Sequence, residues 1–307
     1  MTTSAVVFAY HNVGVRCLSA LLDRGIKVSL VVTHEDNPSE NIWFDSVAGL
    51  ARLHGIPVAT PADPNVPDVI ASIAELQPDF LFSFYYRFML TPALLNIPRR
   101  GAFNMHGSLL PKYRGRVPVN WALIKGEKET GATLHQMVEK PDAGSIIDQQ
   151  AVPILENDTA LDVFNKVTVA AEMVLHRALP SLIENNVKPI PQDQSKASYF
   201  SGRKPEDGII DWSRSAFEIH NLVRAVAPPY PGAWTQIAGK QAQIVRTLLE
   251  KNRQPPRGTP CLYVEENNLF AACADGGVLR IVTLELDGAI VPPHDFHQRF
   301  GLSVQLV

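Results

Sequence analysis

Two periods of apolar spacing alternate along roughly the first 200 residues. Short, mostly apolar runs read as buried strands at residues 5–10, 28–33, 57–59 and 80–86, the last dense in aromatic side chains. Between them, apolar positions recur at helical spacing over 15–24, 42–54 and 66–76, closed by Gly25, Gly55 and Gln77-Pro78. Residues 11–14 read as the turn that leaves the first strand. This strand–turn–helix–strand order predicts an α/β fold with a doubly wound, mainly parallel sheet. The loop after the first strand then lies at the ligand-binding edge. The run at 80–86 is the expected central strand. A short helix at 92–97, a strand at 102–106 and a helix at 118–125 follow. Strands at 130–138 and 145–153 lead into a long helix over 158–185, capped by Asp158 or Thr159. Residues 186–201 are polar, interrupted by Pro189 and Pro191, and read as a linker.

The pattern then changes. Ser213 or Ser215 can cap a helix running to Ala227, and a proline-rich bend occupies 228–233. Short apolar or alternating runs follow at 234–237, 242–248, 259–264, 269–272 and 278–284, separated by polar and glycine residues. That is the pattern of a small antiparallel barrel, OB-like in size. The expected division is therefore a larger domain at 1–200 and a smaller β-barrel domain at 201–307.

Composition narrows the picture. A charged fraction of 19% and a hydrophobic fraction of 46% are those of a globular chain. The net charge of −3 gives no general attraction to nucleic acid, so none is expected as a partner. Cys17, Cys261 and Cys273 form no close-spaced pair, which fits a reducing compartment. No metal-ligand spacing occurs, so no metal is expected. The first apolar run is too short for a signal peptide, and no run approaches a membrane span. The expected location is cytoplasmic. After the first strand, Gly14 stands where a dinucleotide clamp would carry three glycines, which counts against an oxidoreductase.

The chemistry-bearing residues gather between Phe103 and Arg116. Asn104 and His106 are two apart, so on a strand they face one way, an amide donor beside a proton carrier. Gly107, Pro111 and Gly115 discourage a regular element from continuing. From spacing alone this is equally a catalytic segment or a strand end with a polar turn. Ser108 lacks a GxSxG setting, which favours a structural role.

Asn-x-His followed by Ser-Leu-Leu-Pro-x-aromatic-x-Gly, with Asp142-Ala143-Gly144 downstream, resembles the folate-dependent formyltransferases. That family includes glycinamide ribonucleotide and methionyl-tRNA formyltransferases. The resemblance implies a formyltransferase fold, Rossmann-like, with the catalytic domain first. It implies catalysis by Asn104, His106 and Asp142. Asn104 would donate to the oxyanion of a tetrahedral intermediate. His106 would carry the proton from the attacking amine to the departing nitrogen, and Asp142 would favour its charged form or order a relaying water. The co-substrate would be 10-formyltetrahydrofolate. It would lie along Phe88, Met89 and Leu90, contact Arg116, and meet the loop of Val138, Glu139, Lys140, Pro141 and Asp142.

Residues 6–11, 33–38, 82–87 and 106–116, with 223–226 and 230–233, narrow the similarity. They resemble the formyltransferases of UDP-4-amino-4-deoxy-L-arabinose, the N-terminal half of a bifunctional protein of lipid A modification and polymyxin resistance. His11, Asn12, Arg203, Arg224 and Tyr230 are then candidates for the nucleotide-sugar. Their alternatives are a solvated face for the arginines and interdomain packing for Tyr230. The sequence ends at Val307, so no dehydrogenase-decarboxylase activity is expected of it. A separate protein of that kind and a second copy of the chain are the protein partners left open.

Overall fold

The computed structural model describes residues 2–256 and 260–306. The chain divides into two compact units. The first runs to Pro118 and resumes at Glu129–Pro153 and Phe164–Ser201. The second takes Val119–Lys128, Ile154–Val163 and the described residues from Gly202 onward.

In the first unit, β1 (Ser4–Ala9), β2 (Lys27–Val32), β3 (Val58–Ala59), β4 (Phe80–Phe84) and β5 (Ala102–His106) pair in parallel. The two-residue β6 (Arg114–Gly115) lies off this sheet, while β7 (Glu129–Gln136) and β8 (Ile146–Pro153) extend it antiparallel. The order is β3-β2-β1-β4-β5-β7-β8, with β4 central as the aromatic run predicted. Phe80, Phe82 and Phe84 share one face of β4, and Phe82 meets Phe103 of β5 at 5.9 Å between ring centroids. Each such buried ring contributes on the order of 1.5–3 kcal/mol. The strand order reverses at β1, so the carboxyl ends of β1 and β4 flank the crevice where doubly wound sheets bind ligands.

Three expectations need correction here. Residues 11–14 are not a turn, because helix His11–Asp23 starts directly after Tyr10. Gly14 serves close packing instead, since a Cβ there would crowd Ala9 and Val47. The helix expected from residue 42 begins at Val47, because Asn12 Oδ1 accepts the Asp45 N–H at 2.8 Å and holds the preceding chain open. The stretch 186–201 is not a free linker either. Its β9 (Tyr199–Phe200) pairs with β6, and Gln192 is buried.

The second unit is an antiparallel half-barrel. Its strands are β10 (Ala233–Ile237), β11 (Lys240–Glu250), β12 (Cys261–Glu265), β13 (Asn268–Ala272), β14 (Val278–Leu286), β15 (Ala289–Ile290) and β16 (Ser303–Gln305). They run in the order β10-β11-β14-β13-β12-β16, with β15 on β14. β10 and β16 are the two ends of this order, which is the open form of the small barrel predicted. Thr259, placed at a strand start by the sequence, lies outside the described residues. Helix Ala216–Val226 covers the sheet, and Ile219 and Val223 join Ile244 and Leu284 in one core. Ser215 caps it with a reciprocal bond to Glu218, an arrangement whose loss costs about 1 kcal/mol.

Candidate active site

β5 delivers Asn104 and His106 to the same face at its carboxyl end, while Met105 points the other way into the core. The antiparallel partner β7 places His135 opposite Asn104 and Thr133 opposite His106. His106 is buried, and its Nε2 lies 2.7 Å from the Tyr113 carbonyl oxygen. A carbonyl only accepts, so Nε2 carries the hydrogen, and Nδ1 faces Asp142 Oδ1 at 3.6 Å. Asp142 Oδ1 also lies 3.5 Å from Asn104 Nδ2 and 3.5 Å from His135 Nε2. Its other oxygen accepts the Gly115 N–H at 2.8 Å. One carboxylate thus gathers four nitrogens from three strands, β5, β6 and β7.

Burial alone would push the Asp142 carboxyl up. The His106 and His135 rings and the Gly115 N–H outweigh burial and hold it well below the ordinary carboxylate range. Asp142 therefore stays ionised across the neutral range. The local backbone is built for this. Asp142 has φ 52°, a left-handed value that Asp tolerates. Two residues on, Gly144 passes so close to the Gln136 carbonyl that no Cβ would fit. Ser108 is fully buried, and its hydroxyl donates to the Lys112 carbonyl at 2.7 Å.

The formyl transferase family model matches residues 5–179, and the formyl transferase C-terminal domain matches 203–301. The chain belongs to the formyl transferase family. Its enzyme class is accordingly that of the folate-dependent formyltransferases, as the motif segment implied. Solved structures with the same fold include an N-formyltransferase from Helicobacter canadensis in complex with folinic acid and dTDP-3-aminofucose. It is 24% identical, with TM-score 0.73, over 92% of this chain and 99% of that one. WlaRD, a sugar 3N-formyltransferase solved with dTDP and 5-N-formyl-THF, is 23% identical, with TM-score 0.72, over 94% and 99%. HypX from Aquifex aeolicus with tetrahydrofolic acid is 18% identical, with TM-score 0.64, over 98% of this chain and 47% of that one.

In this formyltransferase the residues expected along the folate divide by exposure. Phe88, Met89, Val138, Glu139, Lys140, Pro141 and Arg116 are exposed. The Leu90 side chain is buried in the core with Leu81 and Leu94. Among the sugar candidates, His11 stacks on Phe44 at 4.0 Å and packs edge-on against Trp43 and Phe164. Burial, then the charge of Arg87, pushes its imidazole down to about 3, so it is neutral at working pH. Asn12 holds the backbone of Asp45.

Arg203, Arg224 and Tyr230 belong to the second unit. Arg203 lies over the Trp121 ring and donates to the Asp207 carbonyl. Arg224 is not on a solvated face. It is buried, and it donates to Asn221 Oδ1 and to the carbonyls of Leu155 and Asp158. Tyr230 is hydrogen-bonded to Asn120, and burial raises its phenol to about 12. Asn120 in turn donates to the Ala225 carbonyl.

Sequence reasoning missed His135, Arg114 and Gln192. His135 shares the parity of Thr133 in the alternating run of β7, but pairing it with Asn104 requires the strand register. Among the described residues, no helix is long and apolar enough to cross a membrane, and no cluster of three His, Cys, Asp or Glu is placed to hold a metal ion.

Proposed function

We propose that this formyltransferase moves the formyl group of 10-formyltetrahydrofolate onto the amino group of a nucleotide-linked sugar, with UDP-4-amino-4-deoxy-L-arabinose as the acceptor. The observation that carries the reading is the convergence of Asn104, His106 and His135 on ionised Asp142 at the carboxyl edge of the sheet. Support for the acceptor class comes from fold relatives solved with folates together with dTDP or a dTDP-amino sugar. The UDP sugar rests on the motif resemblance, and its formylation belongs to lipid A modification and polymyxin resistance.

The amine nitrogen attacks the formyl carbon, a C–N bond forms, and the carbonyl electrons move onto oxygen. One Asn104 N–H is directed at His135. The second points toward Asp142 Oδ1 at 3.5 Å, a long contact that a closer oxyanion can displace. The amine's proton passes to His106 Nδ1, beside the carboxylate that stabilises the resulting cation. The oxyanion's electrons then re-form the carbonyl, the bond to the folate N10 breaks, and that nitrogen receives the proton from His106. The products are the N-formyl sugar and tetrahydrofolate.

The test is 10-formyltetrahydrofolate consumption with three amines in parallel: UDP-4-amino-4-deoxy-L-arabinose, dTDP-3-aminofucose and methionyl-tRNA. Turnover of the first is expected. Turnover of the dTDP sugar alone would move the acceptor to another nucleotide-sugar. Turnover of the tRNA alone would replace the sugar reading by that of a methionyl-tRNA formyltransferase, whose tRNA binding should weaken steeply with salt.

A further inference from the structure

Arg114 is fully buried and forms no ion pair among the described residues. A buried guanidinium without a carboxylate is costly unless its donors are all directed. Here they are directed at neutral oxygens. Nε and Nη2 donate to Gln192 Oε1 at 3.1 and 2.6 Å. Nη1 donates to Gln194 Oε1 at 3.1 Å and to the Tyr199 hydroxyl at 2.6 Å.

That cation gives the Gln192 amide a polarity. With Oε1 held by Arg114, Nε2 must face the other way, and it donates to the carbonyls of Asp142 at 2.8 Å and Gly144 at 2.6 Å. Turning the amide over would set an NH2 against a guanidinium and an oxygen against two carbonyl oxygens. Both ends of the Asp142 turn are therefore clamped by one side chain whose orientation a buried charge enforces. The next peptide completes the frame, because the Gly115 N–H holds the Asp142 carboxylate itself. β6 and β9 fix both parts, with Arg114 N–H donating to the Ser198 carbonyl and Arg116 N–H to that of Phe200.

We propose that Arg114 and Gln192 are positioning residues that set the Asp142 turn for formyl transfer, acting on turnover and not on substrate affinity. The inference rests on the proposed role of Asp142. The test uses Gln192→Glu and the nearly isosteric Gln192→Met in the full chain. Glu satisfies Arg114 but offers no donor to the two carbonyls, while Met removes both functions without adding charge.

The measurements are kcat and KM with the amine that turns over in the panel above, folinic acid affinity by calorimetry, and hydrogen exchange at residues 142–145. The expected result is a tenfold or greater fall in kcat, folinic acid affinity and KM within about twofold, and faster exchange confined to the turn. Wild-type kcat in whichever variant melts as the parent does, or an equal loss of kcat and folinic acid binding, would overturn the proposal. Asp142→Asn, run alongside, separates the two ideas. If it keeps the parental rate, the proposed role of Asp142 fails. If it is inactive while the Gln192 variants are normal, only the positioning role fails.

Discussion

Asn104 Nδ2 lies 3.1 Å from His135 Nε2, and the other ring nitrogen of His135 donates to the Gln136 carbonyl at 2.7 Å. The carbonyl fixes Nδ1 as a donor, so in the neutral ring Nε2 presents a lone pair to which Asn104 offers an N–H. The amide of Asn104 is thereby held with its NH2, and not its oxygen, turned toward His135 and Asp142. Removing the donor outright, as Asn104→Ala, should lower kcat by about 100- to 1,000-fold. His135→Phe keeps the ring volume but loses the acceptor, and should lower kcat by about 10- to 100-fold. In the double variant the effects should not add, because His135 acts through Asn104. Steady-state rates on the four proteins decide it, and additive losses would mean that His135 works independently.

Asp142 sets a pH window. Its folded carboxyl is depressed below the ordinary value, so its contribution to stability is present above about pH 4, where the unfolded carboxyl is ionised. That contribution is lost only as the pH falls through the folded value. Asp142→Asn should therefore melt below the parent at neutral pH, and the gap should close in strong acid. A rate limb between pH 5 and 8 would therefore not belong to Asp142. Melting curves from pH 7 to pH 2 on both proteins check the first statement, and a gap that widens on acidification would contradict it.

Gly115 has φ 97°, and a Cβ there would run into the Phe200 carbonyl. Gly115→Ala should cost more than about 1 kcal/mol through the backbone. It should also cost activity, since the same residue's N–H anchors Asp142 Oδ2. A variant that loses stability but turns over normally once folded would show that the anchor is dispensable.

How far the sequence reached depends on the range of the interaction. Local rules placed β5 at its observed bounds, because Gly107 and Pro111 stop the extended segment at His106. They also offered Ser215, alongside Ser213, as a cap, and Ser215 is the cap observed, with its partner Glu218 three residues away. They misplaced the helix that starts at Val47, since nothing near residue 42 says that Asn12 will take the Asp45 N–H. The same limit hid Gln192. In a polar, proline-bearing stretch it looks like linker, and only folding reveals that Arg114, 78 positions away, donates to it twice. Asn104, His106 and Asp142 were legible through a motif, whereas His135 depended on the register between β5 and β7.

His11 makes the last prediction, one of slope. Packed among Trp43, Phe44 and Phe164, its imidazole is pushed from 6.5 down to about 3 by burial and then by Arg87. Between those values the unfolded chain binds a proton at this position that the folded chain does not. Stability therefore rises with pH through that window, is complete above 6.5, and is lost as the pH falls toward 3. His11→Phe removes the titration while keeping an aromatic ring in the cage. It should start from a lower melting temperature, because φ 66° suits His better than a bulky ring. The slope from pH 6.5 to pH 3 is the informative quantity: it should be shallower in His11→Phe than in the parent. Parallel curves would mean that His11 is protonated in the folded chain, and that the aromatic cage tolerates a cation.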